Sequence, residues 1–189
     1  MTLEVREPEL FEPGRAHEAL RRVRAVPDHP VAGVTFQDVT PLLADGQGLH
    51  DVVEAFALAA ARRGEVDLVV GMEARGFLLG APLALRLGTG FVPLRKAGKL
   101  PPPTRSVSYE LEYGSAELEV GRKSIPAGAR VLVVDDVLAT GGTAEAACAL
   151  VEQCGARVVG VDFLLEIDVL AGRTRLSGRS VTSLFGVPA

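Results

Sequence analysis

The sequence predicts an α/β fold: a central, mostly parallel sheet with helices on both faces. Three observations predict it. Short apolar, β-branched blocks of the kind buried on both sides of a parallel sheet recur at residues 66–70, 131–134 and 158–167. Stretches with helical spacing lie between and before them, at residues 49–63, 76–87 and 144–154, so strand and helix alternate. The chain has 189 residues, 48% of them hydrophobic and 23% charged, which suits one domain over 1–189 with a sizeable core.

Each element has its own signal. The first dozen residues are polar, and residues 1–16 are expected as a loose N-terminal extension. Residues 17–26 read as a helix with Leu20 and Val23 inward, ended by Pro27-Asp28-His29-Pro30. Residues 34–43 read as a loop with a short extended piece, and 49–63 as a clear helix. A strand at 66–70, a helix at 76–87 and a strand at 91–94 follow, then a basic, proline-rich loop at 95–107. Residues 106–112 and 115–120 alternate as the two strands of a hairpin turning at Gly114-Ser115, the one antiparallel insertion among parallel units. A strand from Val131, a helix over 144–154 stopped by Gly155, a strand at 158–167 and a short strand at 181–185 complete the chain.

The most specific run is VLVVDDVLATGGT at residues 131–143. It combines a buried strand, two carboxylates, a small-residue loop and a helix start. Such a loop lies at the carboxyl edge of the sheet, where open α/β folds bind ligands. Gly141 and Gly142 leave backbone N–H groups free to close around a phosphate. Thr140 and Thr143 add hydroxyl donors, and the helix N-terminus adds partial positive charge. Asp135 and Asp136 would repel a bare phosphate, so the ligand must also carry hydroxyls or a metal ion. A ribose 5-phosphate meets both needs. No GxxxxGK[ST] occurs, which argues against a nucleoside triphosphatase.

Other segments reach the same edge. Arg75 stands before an apolar helix, opposing its dipole unless an anion accompanies the ligand. Arg95, Lys96 and Lys99 concentrate positive charge in a chain of net charge −4, which suits a pyrophosphate. In the hairpin, Tyr109, Leu111 and Tyr113 share one face and Glu110 and Glu112 the other. Phe36 could stack on a flat ring, whereas His17, His29 and His50 have no ligand-spaced partners. The acidic balance argues against nucleic-acid binding. Apolar runs fall well short of the ~18 residues of a membrane span, and no signal-peptide pattern opens the chain. Cys148 and Cys154 point to different faces of one helix and read as reduced residues of a cytoplasmic protein.

The 131–143 run resembles the phosphoribosyl-diphosphate (PRPP) motif of the type I phosphoribosyltransferases. With GMEARGFLLG at 71–80, RKAGKLP at 95–101 and YELEYG at 109–114, the chain is similar to the adenine phosphoribosyltransferase family from about Pro30 to Ile167. The resemblance implies the type I fold, with a β-hairpin hood at 106–120 over the site. It implies a purine-salvage reaction of adenine with PRPP to give AMP and pyrophosphate, Mg²⁺ as cofactor, and a cytoplasmic homodimer. Ala139, Thr140, Gly141, Gly142 and Thr143 would hold the 5-phosphate, and Asp135 and Asp136 the ribose hydroxyls. Arg75, Arg95, Lys96 and Lys99 would bind pyrophosphate. Thr35, Phe36, Arg75 and Leu138 would surround adenine. Glu112 matches the family's acid/base residue, with Tyr113 beside it. Mg²⁺ would be held mainly by PRPP, with Asp135 or Asp136 assisting. Two features depart from the family pattern: its usual Pro-x-Pro-Gly is Pro30-Val31-Ala32-Gly33, and the basic residue often found after the Phe is Gln37. A transferase for xanthine, hypoxanthine or guanine is the alternative enzyme, and a non-catalytic PRPP-sensing regulator the alternative of another class.

Overall fold

Strands rich in valine and leucine, too apolar to face water on either side, pack into one sheet and order the rest of the chain around it. The structure is a computed structural model, which describes residues 3–110 and 115–189. In chain order its elements are β1 (Glu4–Val5), α1 (Arg15–Leu20), β2 (Arg24–Pro27), β3 (Thr35–Asp38), α2 (Thr40–Ala44), α3 (Gly46–Arg63), β4 (Leu68–Met72), α4 (Arg75–Leu87), β5 (Gly90–Lys96), β6 (Thr104–Glu110), β7 (Ser115–Gly121), β8 (Arg130–Leu138), α5 (Gly142–Gln153), β9 (Arg157–Ile167) and β10 (Val181–Val187).

Among the described residues the main sheet runs β1-β10-β9-β8-β4-β5-β7-β6. The centre, from β10 to β5, is parallel. β1 and the β6–β7 hairpin join the two ends antiparallel. β8 shows why the centre is buried twice over. Leu132 and Val134 pack on the side of α3 and α4 with Phe56, Leu79 and Leu83, while Val131 and Val133 pack on the other side with Ala147 and Leu150 of α5. The Asp45 side chain caps α3 by accepting from Gly48 N at 2.6 Å, and Arg62 and Arg63 lie in its last turn, favourable to the helix dipole. The parallel sheet with helices on both faces is thus as expected.

Three local expectations give way. The helix expected over 17–26 ends at Leu20, because Val26 pairs with Phe36 and Arg24 with Asp38 in the small β2–β3 sheet; long-range pairing overrides local propensity there. The basic loop narrows to residues 97–103, since β5 continues through Arg95 and Lys96 and β6 begins at Thr104. From Leu3 on, the expected loose extension is tied down. Glu4 and Val5 pair with β10, Leu10 is buried in the core, and Arg6 pairs with Glu166 and Asp168.

Candidate active site

The carboxyl edge of the parallel strands opens into a cavity of about 470 Å³, within the range of small-molecule sites. Its lining includes Thr35, Phe36, Arg75, Lys96, Asp136 and Val137. A smaller pocket of about 60 Å³ adjoins it at the 139–143 loop, between β8 and α5. The expected segments on β3, α4, β5 and β8 therefore converge on one edge. Glu112 and Tyr113 lie outside the described residues.

β8 carries the acid pair further into the strand than the sequence suggests, since both aspartates precede its last two residues. Asp136 is buried, and its Oδ2 lies 2.6 Å from Arg75 Nε without hydrogen-bond alignment. Asp135 Oδ1 accepts from Asp136 N at 2.9 Å. Burial pushes both carboxyls up. At Asp135 the neighbouring Asp136 charge adds to the rise, whereas at Asp136 the Arg75 guanidinium pulls the other way. A carboxylate pair, Asp136 buried and Asp135 half-buried, that shares one cation suits a ligand that brings hydroxyl donors or its own metal ion. No cluster of three or more His, Cys, Asp or Glu fit for a metal occurs among the described residues. Of the carboxylates among the described lining residues, Glu73 is taken up by Arg95, Lys96 and Lys99, which leaves Asp135 and Asp136 to assist a ligand-held cation; Asp136 Oδ2, paired with Arg75 by charge but accepting no hydrogen bond, fits that use.

The loop after β8 ends in Gly141, whose φ of +83° turns the chain into α5. No side chain caps α5, so its first N–H groups are left for a ligand. On the opposite wall, Arg75 begins α4 and its guanidinium lies 5.4 Å from the centre of the Phe36 ring. His29, given no role from sequence, packs edge-on against Phe36 with ring centres 5.2 Å apart. Gln37 is buried in the lining, and its Oε1 lacks a hydrogen-bond partner.

Leu138 is not a wall of this cavity. It is buried on the α5 side of the sheet, and the preceding residue, Val137, lines the cavity instead. Leu138 and Val137 are strand neighbours, so the two side chains cannot share one face.

Of the three cations expected in the basic segment, Arg95, Lys96 and Lys99, Lys96 lines the cavity. Arg95 is engaged elsewhere: its Nε donates to Glu73 Oε2 at 3.1 Å and its guanidinium lies 5.9 Å from the Phe77 ring centre. Lys96 N also donates to Glu73 Oε2 at 2.9 Å, and Lys99 Nζ lies 3.6 Å from Glu73 Oε1. The hydrogen bonds from Arg95 and Lys96 N, with the charges of Arg95 and Lys99, hold the Glu73 carboxyl down at about 2. The Glu73–Ala74 peptide is cis. A second carboxylate holds the far end of the basic segment. Glu119, buried on β7, accepts from Lys99 N at 2.7 Å and Leu100 N at 2.8 Å. Sequence reasoning missed both roles. The available signals were a glutamate just past the end of the apolar β4 and the second of two glutamates that alternate with apolar residues in β7.

Comparisons with known proteins bear on this geometry. The family model for the phosphoribosyl transferase domain matches residues 42–176. An adenine phosphoribosyltransferase of Streptomyces coelicolor is 58% identical over 157 residues, 83% of this chain and 86% of that protein. The crystal structure of adenine phosphoribosyltransferase from Thermoanaerobacter pseudethanolicus matches with a TM-score of 0.85 at 47% identity, covering 91% of this chain and 99% of that one. The Saccharomyces cerevisiae enzyme, complexed with an imino-altritol bisphosphate and adenine, matches with a TM-score of 0.87 at 41% identity, covering 92% and 99%.

Proposed function

Since the chain belongs to the adenine phosphoribosyltransferase family, we propose that its cavity joins adenine to the phosphoribosyl group of PRPP, giving AMP and pyrophosphate. The observation that carries this reading is the convergence on one sheet edge of an uncapped α5 N-terminus, the Asp135–Asp136 acid pair and an aromatic wall bridged by Arg75.

The roles follow from position. The 5-phosphate sits on Ala139, Thr140, Gly141, Gly142 and Thr143, and the ribose hydroxyls donate to Asp135 and Asp136. Adenine lies between Phe36 and Val137, with Thr35 and Gln37 at its edge. Lys96, with Lys99, meets the pyrophosphate, and Arg95 keeps Glu73 and the segment in place. Arg75 spans base, ribose acid and leaving group. Asp135 or Asp136 would assist a Mg²⁺ held mainly by PRPP, which when bound would supply charge against the leaving pyrophosphate.

The C1–pyrophosphate bond breaks with oxocarbenium character, and fixed positive charge from Arg75 and Lys96 stabilises the departing oxygens. Holding adenine N9 against C1 supplies the entropic part. Glu112, with Tyr113 beside it, handles the purine proton, a contribution typically worth ~10²–10⁴-fold. The hairpin above the site excludes water, which would otherwise hydrolyse PRPP.

We also propose a homodimer in the cytoplasm. Leu78 and Leu85 are seven residues apart on α4 and 53% and 84% exposed, an apolar stripe that a second copy would cover. Sedimentation should show a dimer that a Leu85→Glu change weakens. Cys148 and Cys154 are both free, in line with a reducing compartment.

The test offers the protein PRPP, Mg²⁺ and each purine in turn, and follows pyrophosphate release. Release with adenine and not with hypoxanthine, guanine or xanthine is expected. Release with none of the four would contradict the enzyme reading, and preference for a 6-oxopurine would contradict the base assignment.

A further inference from the structure

The loop assigned to the 5-phosphate has few side chains of its own to fix its shape. It contains two glycines and small side chains, and its first helical turn has no side-chain cap. Something outside the loop must fix it, because backbone N–H groups bind an anion well only when they already point at it.

The outside support is the segment between β9 and β10. At its middle, Gly172 lies directly against the loop backbone. A Cβ on Gly172 would stand 2.9 Å from Gly141 N and would collide with Ala139 O, and a Cβ on Gly141 would collide with Gly172 O. The two chains therefore touch backbone to backbone, and neither position has room for a side chain. The residue before it, Ala171, takes a φ of 50°, a conformation that a non-glycine residue keeps only when its surroundings enforce it.

Those surroundings are a charge cluster that the transfer mechanism does not use. Arg173 grips Glu166 with both Nε and Nη2, at 3.0 and 2.5 Å, and donates to Val181 O at 3.1 Å. Arg6, from the N-terminal strand, donates to Glu166 at 2.9 Å and pairs with Asp168. Arg175 donates at 3.0 Å to Glu145 in the first turn of α5. Leu176 is buried among the residues on the α5 side. The segment is thus fixed to β9, to the N-terminal strand and to α5 at once.

We propose that Gly172 is a positioning residue for the reaction: with Arg173 and Glu166 it forms a rigid seat that presets the 139–143 loop for the 5-phosphate of PRPP. The inference rests on the reading of that loop as the 5-phosphate site.

Steady-state kinetics on the full chain test it. Gly172→Ala should raise the KM for PRPP about tenfold or more, since a displacement near 1 Å is costly at such a site, while the KM for adenine stays within about twofold. An unchanged KM for PRPP in folded Gly172→Ala would overturn the proposal, as would an equal rise in both constants. Should Gly172→Ala fail to fold, Arg173→Lys carries the test. It keeps the charge and loses the fork. A KM for PRPP raised about threefold at an unaltered KM for adenine supports the seat, and an unaltered KM for PRPP overturns it. A wild-type protein that binds no PRPP in a direct titration would instead remove the 5-phosphate reading itself, and the seat with it.

Discussion

Arg75 Nε stands 2.6 Å from Asp136 Oδ2 while the same guanidinium lies 5.4 Å from the centre of the Phe36 ring. One cation therefore joins the acid pair to the wall of the base cavity. This pairing offsets part of the penalty of burying Asp136; under the proposed reading, the ribose hydroxyls of PRPP would take over that task.

Asp136→Asn should therefore separate binding from stability. Loss of a charge-assisted hydrogen bond of about 1.5–3 kcal/mol weakens PRPP binding by about 10- to 100-fold. Because burial holds this carboxyl above its ordinary value, its charged form is unfavourable in the fold, and the neutral amide should leave the ligand-free melting temperature unchanged or higher. Isothermal titration with PRPP and thermal melts read the two effects.

Val137 and Leu138 should behave as opposites. Val137→Ala removes two methyl groups from the cavity wall and should raise the KM for adenine about tenfold, leaving the KM for PRPP unchanged. Leu138→Ala leaves a hole in the α5-side core and should destabilise the fold by about 2–5 kcal/mol in urea unfolding. Reversed outcomes would return Leu138 to the base site.

Glu73 makes a pH-dependent contribution with a definite sign. Its folded value is lowered from 4.5 to about 2, so its stabilisation is present above pH 4.5 and is lost as the pH falls towards 2. Glu73→Gln should flatten the acid side of the stability curve across that window. A curve parallel to that of the wild type would show that the Arg95 and Lys96 contacts do not form in solution.

Glu119 should tolerate an amide but not its removal. One oxygen, Oε1, accepts both Lys99 N and Leu100 N, and the carboxamide of Gln can do the same. Glu119→Ala removes both hydrogen bonds, each worth about 0.5–1.5 kcal/mol, and frees the segment that carries Lys99. Its KM for pyrophosphate in the reverse reaction should rise, with Glu119→Gln close to the wild type.

The sequence made the parallel sheet legible because buried strands are written as continuous valine and leucine runs, and made the candidate phosphate loop stand out because small residues, two threonines and an acid pair coincide at 131–143. The β2 strand was hidden because Val23 and Val26 fit a helix as well as a strand, and only pairing with β3 decides between them. Leu138 was placed one residue off because neighbouring strand positions are both apolar there, and the face is set by packing against α5. Arg95 looked like a ligand cation because Glu73, its partner, is 22 residues away in sequence. The role of Gly172 depends on a backbone approach between segments 31 residues apart (141 and 172), which no local pattern records.

The most direct test of the central claim is the stoichiometry of products from adenine and PRPP with Mg²⁺, followed by chromatography of the whole reaction. The expected result is AMP and pyrophosphate appearing one for one in the wild type, with Asp136→Asn much slower at the same PRPP concentration. Pyrophosphate without AMP, or no turnover of adenine at all, would contradict it.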